Sequence, residues 1–131
     1  LSLGADINKQ SNKGATPLYW AAFEGHQEVA ALLLSNGAYI DKQNNNGWTP
    51  LFKAAHEGHC DIAALLLSNG ADINRCDNDG TTPLTIAIAF KHDEVERLLR
   101  AAGASMPTDV MDLETVDDVL SFLKDLKLQQ K

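Results

Sequence analysis

The chain has 131 residues, of which 44% are hydrophobic and 6% aromatic, and it carries a net charge of −7. That apolar content suffices for one ordered domain and excludes wholesale disorder, but no apolar run exceeds the six residues seen in Val29 to Leu34, far short of the roughly 20 that cross a bilayer. The acidic balance argues against a phosphate backbone as ligand, which needs a dense basic face, so neither membrane nor nucleic acid is expected as a partner.

Residues 1–10 open on Gly4-Ala5-Asp6-Ile7-Asn8, an extended arm with no helical pattern before it. Residues 11–43 give the first complete pattern. Gly14 lies in an Asn/Lys turn, and Thr16-Pro17 is a helix start: the hydroxyl can accept from a free backbone N–H, and proline in the first turn gives up a donor that had no partner. Leu18, Ala21 and Ala22 then follow the spacing of one helical face. Gly25 predicts the stop, and a second helix is expected from His26, carrying Val29, Leu32 and Leu33 until Asn36-Gly37 ends it.

Residues 44–76 repeat this order thirty-three positions on, from Gly47-Trp48-Thr49-Pro50-Leu51 through Ala54-Ala55 and Gly58-His59 to Asn69-Gly70. Residues 77–109 repeat it again from Gly80-Thr81-Thr82-Pro83-Leu84, with departures: Lys91 stands where the loop glycine is expected, which predicts a reshaped loop from Phe90 to Asp93. Glu96, Arg97 and Arg100 replace Ala and Leu on a face that would otherwise stack, as suits a terminal, capping repeat. The arm recurs with the same step at Gly37, Gly70 and Gly103, and two series with one period point to a stack of similar units. Residues 110–131 leave the period. There Val116, Val119, Leu120, Leu123 and Leu126 predict one amphipathic helix, a lid on the last unit or a contact for another chain.

The Gly-x-Thr-Pro-Leu, Ala-Ala-x-x-Gly-His and Leu-Leu-x-x-Gly-Ala-x-x-Asn blocks resemble the ankyrin repeat over roughly residues 1–104. The resemblance implies an all-α solenoid of turn, helix, loop and helix per unit, with one truncated and three full repeats followed by the C-terminal helix. The opening stub matches the end of a repeat whose helices are absent, so the chain is expected to be a piece of a longer protein, able to self-associate through that uncovered end. The family commonly has a histidine after Thr-Pro-Leu that ties adjacent turns. Tyr19 and Phe52 stand there, Tyr19 with a hydroxyl to offer and Phe52 as a structural residue.

The resemblance further implies that turns and first helices line a concave side where a protein partner is held. Its usual contact slots fall on Asn12, Lys13, Ala15, Phe23 and Glu24 in the first repeat, and on Asn45, Asn46, Trp48, His56 and Glu57 in the second. The third contributes Asn78, Asp79, Thr81, Ala89 and Phe90, and Trp20 and Lys53 lie at the groove edge. Trp48 is the most informative, because Ala15 and Thr81 fill its slot in the flanking repeats and stacking there needs no indole. Either it anchors a partner or it packs on the neighbouring turn. Aromatic anchors bordered by Glu24, Glu57 and Asp79 suit a protein or peptide with apolar residues flanked by basic ones.

The run His56-Glu57-Gly58-His59-Cys60 invites a catalytic or metal reading but has the wrong spacing: a zinc-protease helix needs its histidines four apart on one unbroken helix, and a loop glycine divides these. No phosphate loop, nucleophile elbow or dinucleotide fingerprint occurs, so neither a cofactor nor an enzymatic activity is expected. Cys60 and Cys76 occupy unrelated positions in the repeat and read as free thiols of a reducing compartment, the cytoplasm or the nucleus. The expected function is a protein–protein interaction module within a larger adaptor, regulator or effector; the alternative is a spacer between domains that binds nothing on this face.

Overall fold

A computed structural model describes residues 6–104. The predicted C-terminal helix of residues 110–131 lies outside the described residues, as does the start of the opening arm. Six helices occur among the described residues: α1 Pro17–Glu24, α2 Gln27–Ser35, α3 Pro50–Glu57, α4 Cys60–Ser68, α5 Pro83–Ala89 and α6 Asp93–Ala101. The odd-numbered helices stack in one layer and the even-numbered in a second, with α1 on α3, α3 on α5, α2 on α4 and α4 on α6.

Each first helix starts where the Thr-Pro pair predicts. Thr16, Thr49 and Thr82 are in extended conformation, and their hydroxyl oxygens accept from the amides of Tyr19, Phe52 and Thr85 at 3.2, 3.1 and 3.2 Å. The core between the layers is built from Leu18, Leu51 and Leu84 with the paired alanines of α1 and α3, and from Leu33, Leu66 and Leu99 of the second helices. Alanine on the facing sides lets the helices approach closely. Ile62 and Val95 are 1% exposed because the preceding second helix covers them, whereas their equivalent Val29 is 47% exposed.

Two expectations need correction. The second helices begin one residue after His26 and His59, and these histidines make no side-chain cap. The loop from Phe90 to Asp93 is reshaped only at its start, where Phe90 leaves the helix and the Lys91 amide bonds Ile88 O at 3.1 Å; beyond it Lys91 takes φ 60°, close to the 77° and 79° of Gly25 and Gly58, and the His92 amide reaches Ala87 O at 2.9 Å as His26 and His59 reach Ala21 and Ala54. Packing of α6 on α5 holds the loop against a left-handed cost of about 1 kcal/mol. The adjustment falls on α5, which ends at Ala89, one residue earlier than the equivalent ends of α1 and α3.

Turns of successive repeats are tied by amides rather than by a histidine after Thr-Pro-Leu. The Asn45 side chain donates to Asn12 O at 3.2 Å and Asn78 to Asn45 O at 2.9 Å, while Gln10 and Gln43 reach the carbonyls of Gln43 and Cys76, every one of these bonds spanning thirty-three residues. Histidine serves one level further in. His59 Nε2 donates to Phe23 O at 3.0 Å and His92 Nε2 to His56 O at 2.9 Å, the carbonyl partner fixing the ring nitrogen as donor. Tyr19 is buried instead of bridging turns, and its hydroxyl is pushed up to about 12 by burial and by the nearby Glu57 charge, so it stays protonated. On the outer face of α6, Arg100 Nε pairs with Glu96 at 2.9 Å where α2 and α4 carry leucine and alanine.

Candidate interaction face

The turns and odd-numbered helices bring most of the candidate residues to one side, where a chain of rings crosses all three repeats. Trp20 stacks on Phe23 with centroids 5.5 Å apart and planes 19° apart, and Tyr19 meets the Trp20 ring edge-on at 6.0 Å. Trp48 leans on Phe52 at 4.7 Å and on His56 at 5.1 Å, and His56 meets Phe90 at 4.6 Å. Lys53 closes the gap between the two groups. Its ammonium sits 4.3 Å from the centre of the Phe23 ring and 5.1 Å from that of Trp48, a cation between two π faces.

Lys53, expected at the groove edge, lies within, only 8% exposed. Its charge is balanced by Glu57, one helical turn on, at 3.5 Å. Glu57 also accepts from His56 Nδ1 at 2.6 Å. Burial alone would raise the Glu57 carboxyl, but the His56 hydrogen bond and the Lys53 charge outweigh it and hold the group below the usual carboxylate range. Burial lowers the His56 imidazole, against the pull of Glu57 and with the repulsion of Lys53, so the ring is neutral at pH 7 and donates to the carboxylate. Glu57 thus links Lys53 and His56 into one cluster.

Trp48 is half-buried, and its indole N–H donates to Asp77 Oδ2 of the next turn at 3.1 Å. The other carboxylate oxygen of Asp77 accepts from the amides of Asp79 and Thr81, both at 2.9 Å. The indole therefore both packs on the neighbouring turn and leaves some of its surface to solvent. Burial pushes the Asp77 carboxyl up, while these three hydrogen bonds oppose the shift.

Of the remaining candidates, Trp20 and Phe90 are 44% and 48% exposed, Asn12, Lys13 and Glu24 are exposed, and Phe23 and Asp79 are half-buried. The side chain of Asn45 is engaged in holding the turns together. Between the first and second repeats Lys13, Ala15, Tyr19, Trp20, Phe23, Asn44, Asn45, Asn46, Trp48 and Lys53 line a hollow of about 520 Å³. In the third repeat all seven residues of α5 are buried. Asp77, His59 and His92 shape this face although none falls on an expected contact slot, while Asn78, which does, is engaged with the preceding turn. The recurrence of Asn45 as Asn78 and of His59 as His92 was the available signal; nothing local ties Asp77 to an indole twenty-nine residues earlier.

His56, His59 and Cys60 do not assemble a reactive site. His59 Nε2 is committed to Phe23 O, and burial with the charges of Glu94 and Asp61 raises the Cys60 thiol, away from the thiolate a nucleophile needs. Among the described residues no three His, Cys, Asp or Glu side chains gather in a metal-holding group, and no helix is long and apolar enough to cross a membrane.

A family model described as ankyrin repeats matches the chain in three copies, over residues 1–77 and 41–109. The chain belongs to the ankyrin repeat family, a class of generally non-enzymatic protein–protein interaction modules. No curated protein matches it.

Proposed function

We propose that this chain is the recognition module of a larger adaptor, regulator or effector and holds a partner protein or peptide on the side lined by turns and first helices, the side that is concave in the family. The observation that carries this reading is the continuous band from Trp20 to Phe90, in which aromatic rings at a partly open surface are set around a desolvated lysine. Packing of repeats does not require it, since Ala15 and Thr81 fill the Trp48 slot elsewhere. Aromatic groups that keep an exposed edge in a rigid setting are the usual anchors of an interface. Asn12, Lys13, Glu24, Asn45 and Asp79 form its polar rim, with Lys53, His56 and Glu57 supporting it from within. Glu24 and Asp79 suit basic residues flanking the partner's apolar ones.

The third repeat caps the array, a reading supported by the Glu96–Arg100 ion pair on its outer face. At the other end, exposed Val29 and Leu32 support self-association of this chain. The free thiols of Cys60 and Cys76 suit the cytoplasm or nucleus, and the charge of −7 disfavours nucleic acid. The test is the double substitution Phe23→Ala with Trp48→Ala. It should weaken capture of a partner by more than roughly tenfold while the helical circular dichroism is kept; unchanged affinity removes this face from consideration.

A further inference from the structure

The band has a local polarity that its outer rim hides. In a chain of net charge −7, the hollow between the first two repeats is lined by two lysines, three asparagines and aromatic rings, and by no carboxylate. Lys13 makes no ion pair among the described residues. The space between the Phe23 and Trp48 rings, where a foreign cation would find two π faces, is already held by the Lys53 ammonium. A basic side chain entering here would meet like charge. An ammonium has three donors, and the single carboxylate paired with that of Lys53, Glu57, stands at 3.5 Å. The exposed Asn46 side chain makes no hydrogen bond among the described residues, so its amide is free to pair with a backbone.

We infer that this hollow takes a bulky apolar side chain of the partner together with an adjacent carboxylate, the ring walls of Trp20, Phe23 and Trp48 covering the first and Lys53 and Lys13 receiving the second. The inference rests on the proposed use of this face and gives it a direction. The partner segment runs with its acidic residue over the first two turns and its basic residues toward Asp79 of the third. A charge-assisted bond to an ammonium held in a largely desolvated site is stronger than one at an exposed rim, so Lys53 should contribute more than Lys13.

The test is selection of a displayed random dodecapeptide library on the full chain. The best peptide and a twin with each carboxylate replaced by the carboxamide are then titrated against the wild type, Lys53→Met, Lys13→Met and the Phe23→Ala, Trp48→Ala double variant. Expected are peptides enriched in Asp or Glu beside Trp, Phe or Leu, a loss of about tenfold for the carboxamide twin and for Lys53→Met, and a loss of about threefold for Lys13→Met. Lys13 is exposed on a turn, so its variant reports even if Lys53→Met fails to fold. Peptides that bind as tightly in carboxamide form, or equally well to Lys13→Met and Lys53→Met, overturn the acidic partner and leave the face in use. No enrichment, or enrichment indifferent to the double variant, overturns the use of the face and this inference with it.

Discussion

A lysine as buried as Lys53 must recover its lost hydration from its surroundings, and here Glu57, Phe23 and Trp48 supply the compensation. The equivalent positions are Trp20 and Ile86, so the stem of Lys53 takes the path of a large apolar side chain while its ammonium replaces an indole. That equivalence is visible in the sequence; the burial it implies is not, because Lys53 owes it to Phe23 of another repeat. Trp48 was legible as an exceptional residue, but its acceptor was not. Asp77 also gives a pH signature. Its carboxyl is raised above the ordinary range near 3.8, so the folded state holds a proton that the unfolded chain has released. The stability this group contributes is fully present below the unfolded value and is lost as pH rises through the folded one. In denaturant titrations, the wild type should therefore lose stability relative to Asp77→Asn as pH rises from about 3.5 through the window above it. A difference that stays flat with pH contradicts burial of this carboxyl.

At the scale of the turn and helix, sequence and structure agree because each signal is local. A Thr-Pro start needs only its own first turn, so all three first helices begin where the motif places them, and the thirty-three-residue step is carried into space by bonds of the same span. The loop at Lys91 shows the limit of such reading: propensity argues for a new conformation, and packing of α5 with α6 keeps the old one. The contribution of turn stacking can be measured with glycines. Gly47 and Gly80 have nearly the same φ, 81° and 82°, but a Cβ on Gly47 would stand 2.5 Å from Asn78 Oδ1 and 2.7 Å from its amide nitrogen, whereas one on Gly80 meets nothing within 4 Å. Both alanine substitutions incur the left-handed strain, and only Gly47→Ala must also push neighbouring turns apart. In equilibrium unfolding it should cost at least about 1 kcal/mol more than Gly80→Ala. Equal losses would mean that the turns are not held against each other.

For the whole molecule, the uneven exposure of equivalent residues matters more than composition. Val29 and Leu32 lie open on α2, while Ile62 and Val95 in the next two repeats are covered by a second helix. An exposed apolar surface at the position where the other second helices receive a neighbour favours association. Sedimentation equilibrium should show the average mass rising with concentration, and Val29→Lys with Leu32→Glu should hold it at 14.2 kDa. A wild type that stays monomeric throughout would show that this end is inert. The placement of Lys53 on Phe23 has a further consequence. One residue belongs to the stretch before position 44 and the other to the stretch after it, so the hollow is a property of the seam and not of either block. A chimaera joined at that seam would split the hollow between two donors, whereas junctions placed ahead of Gln10 and after α4 would carry the seam across whole.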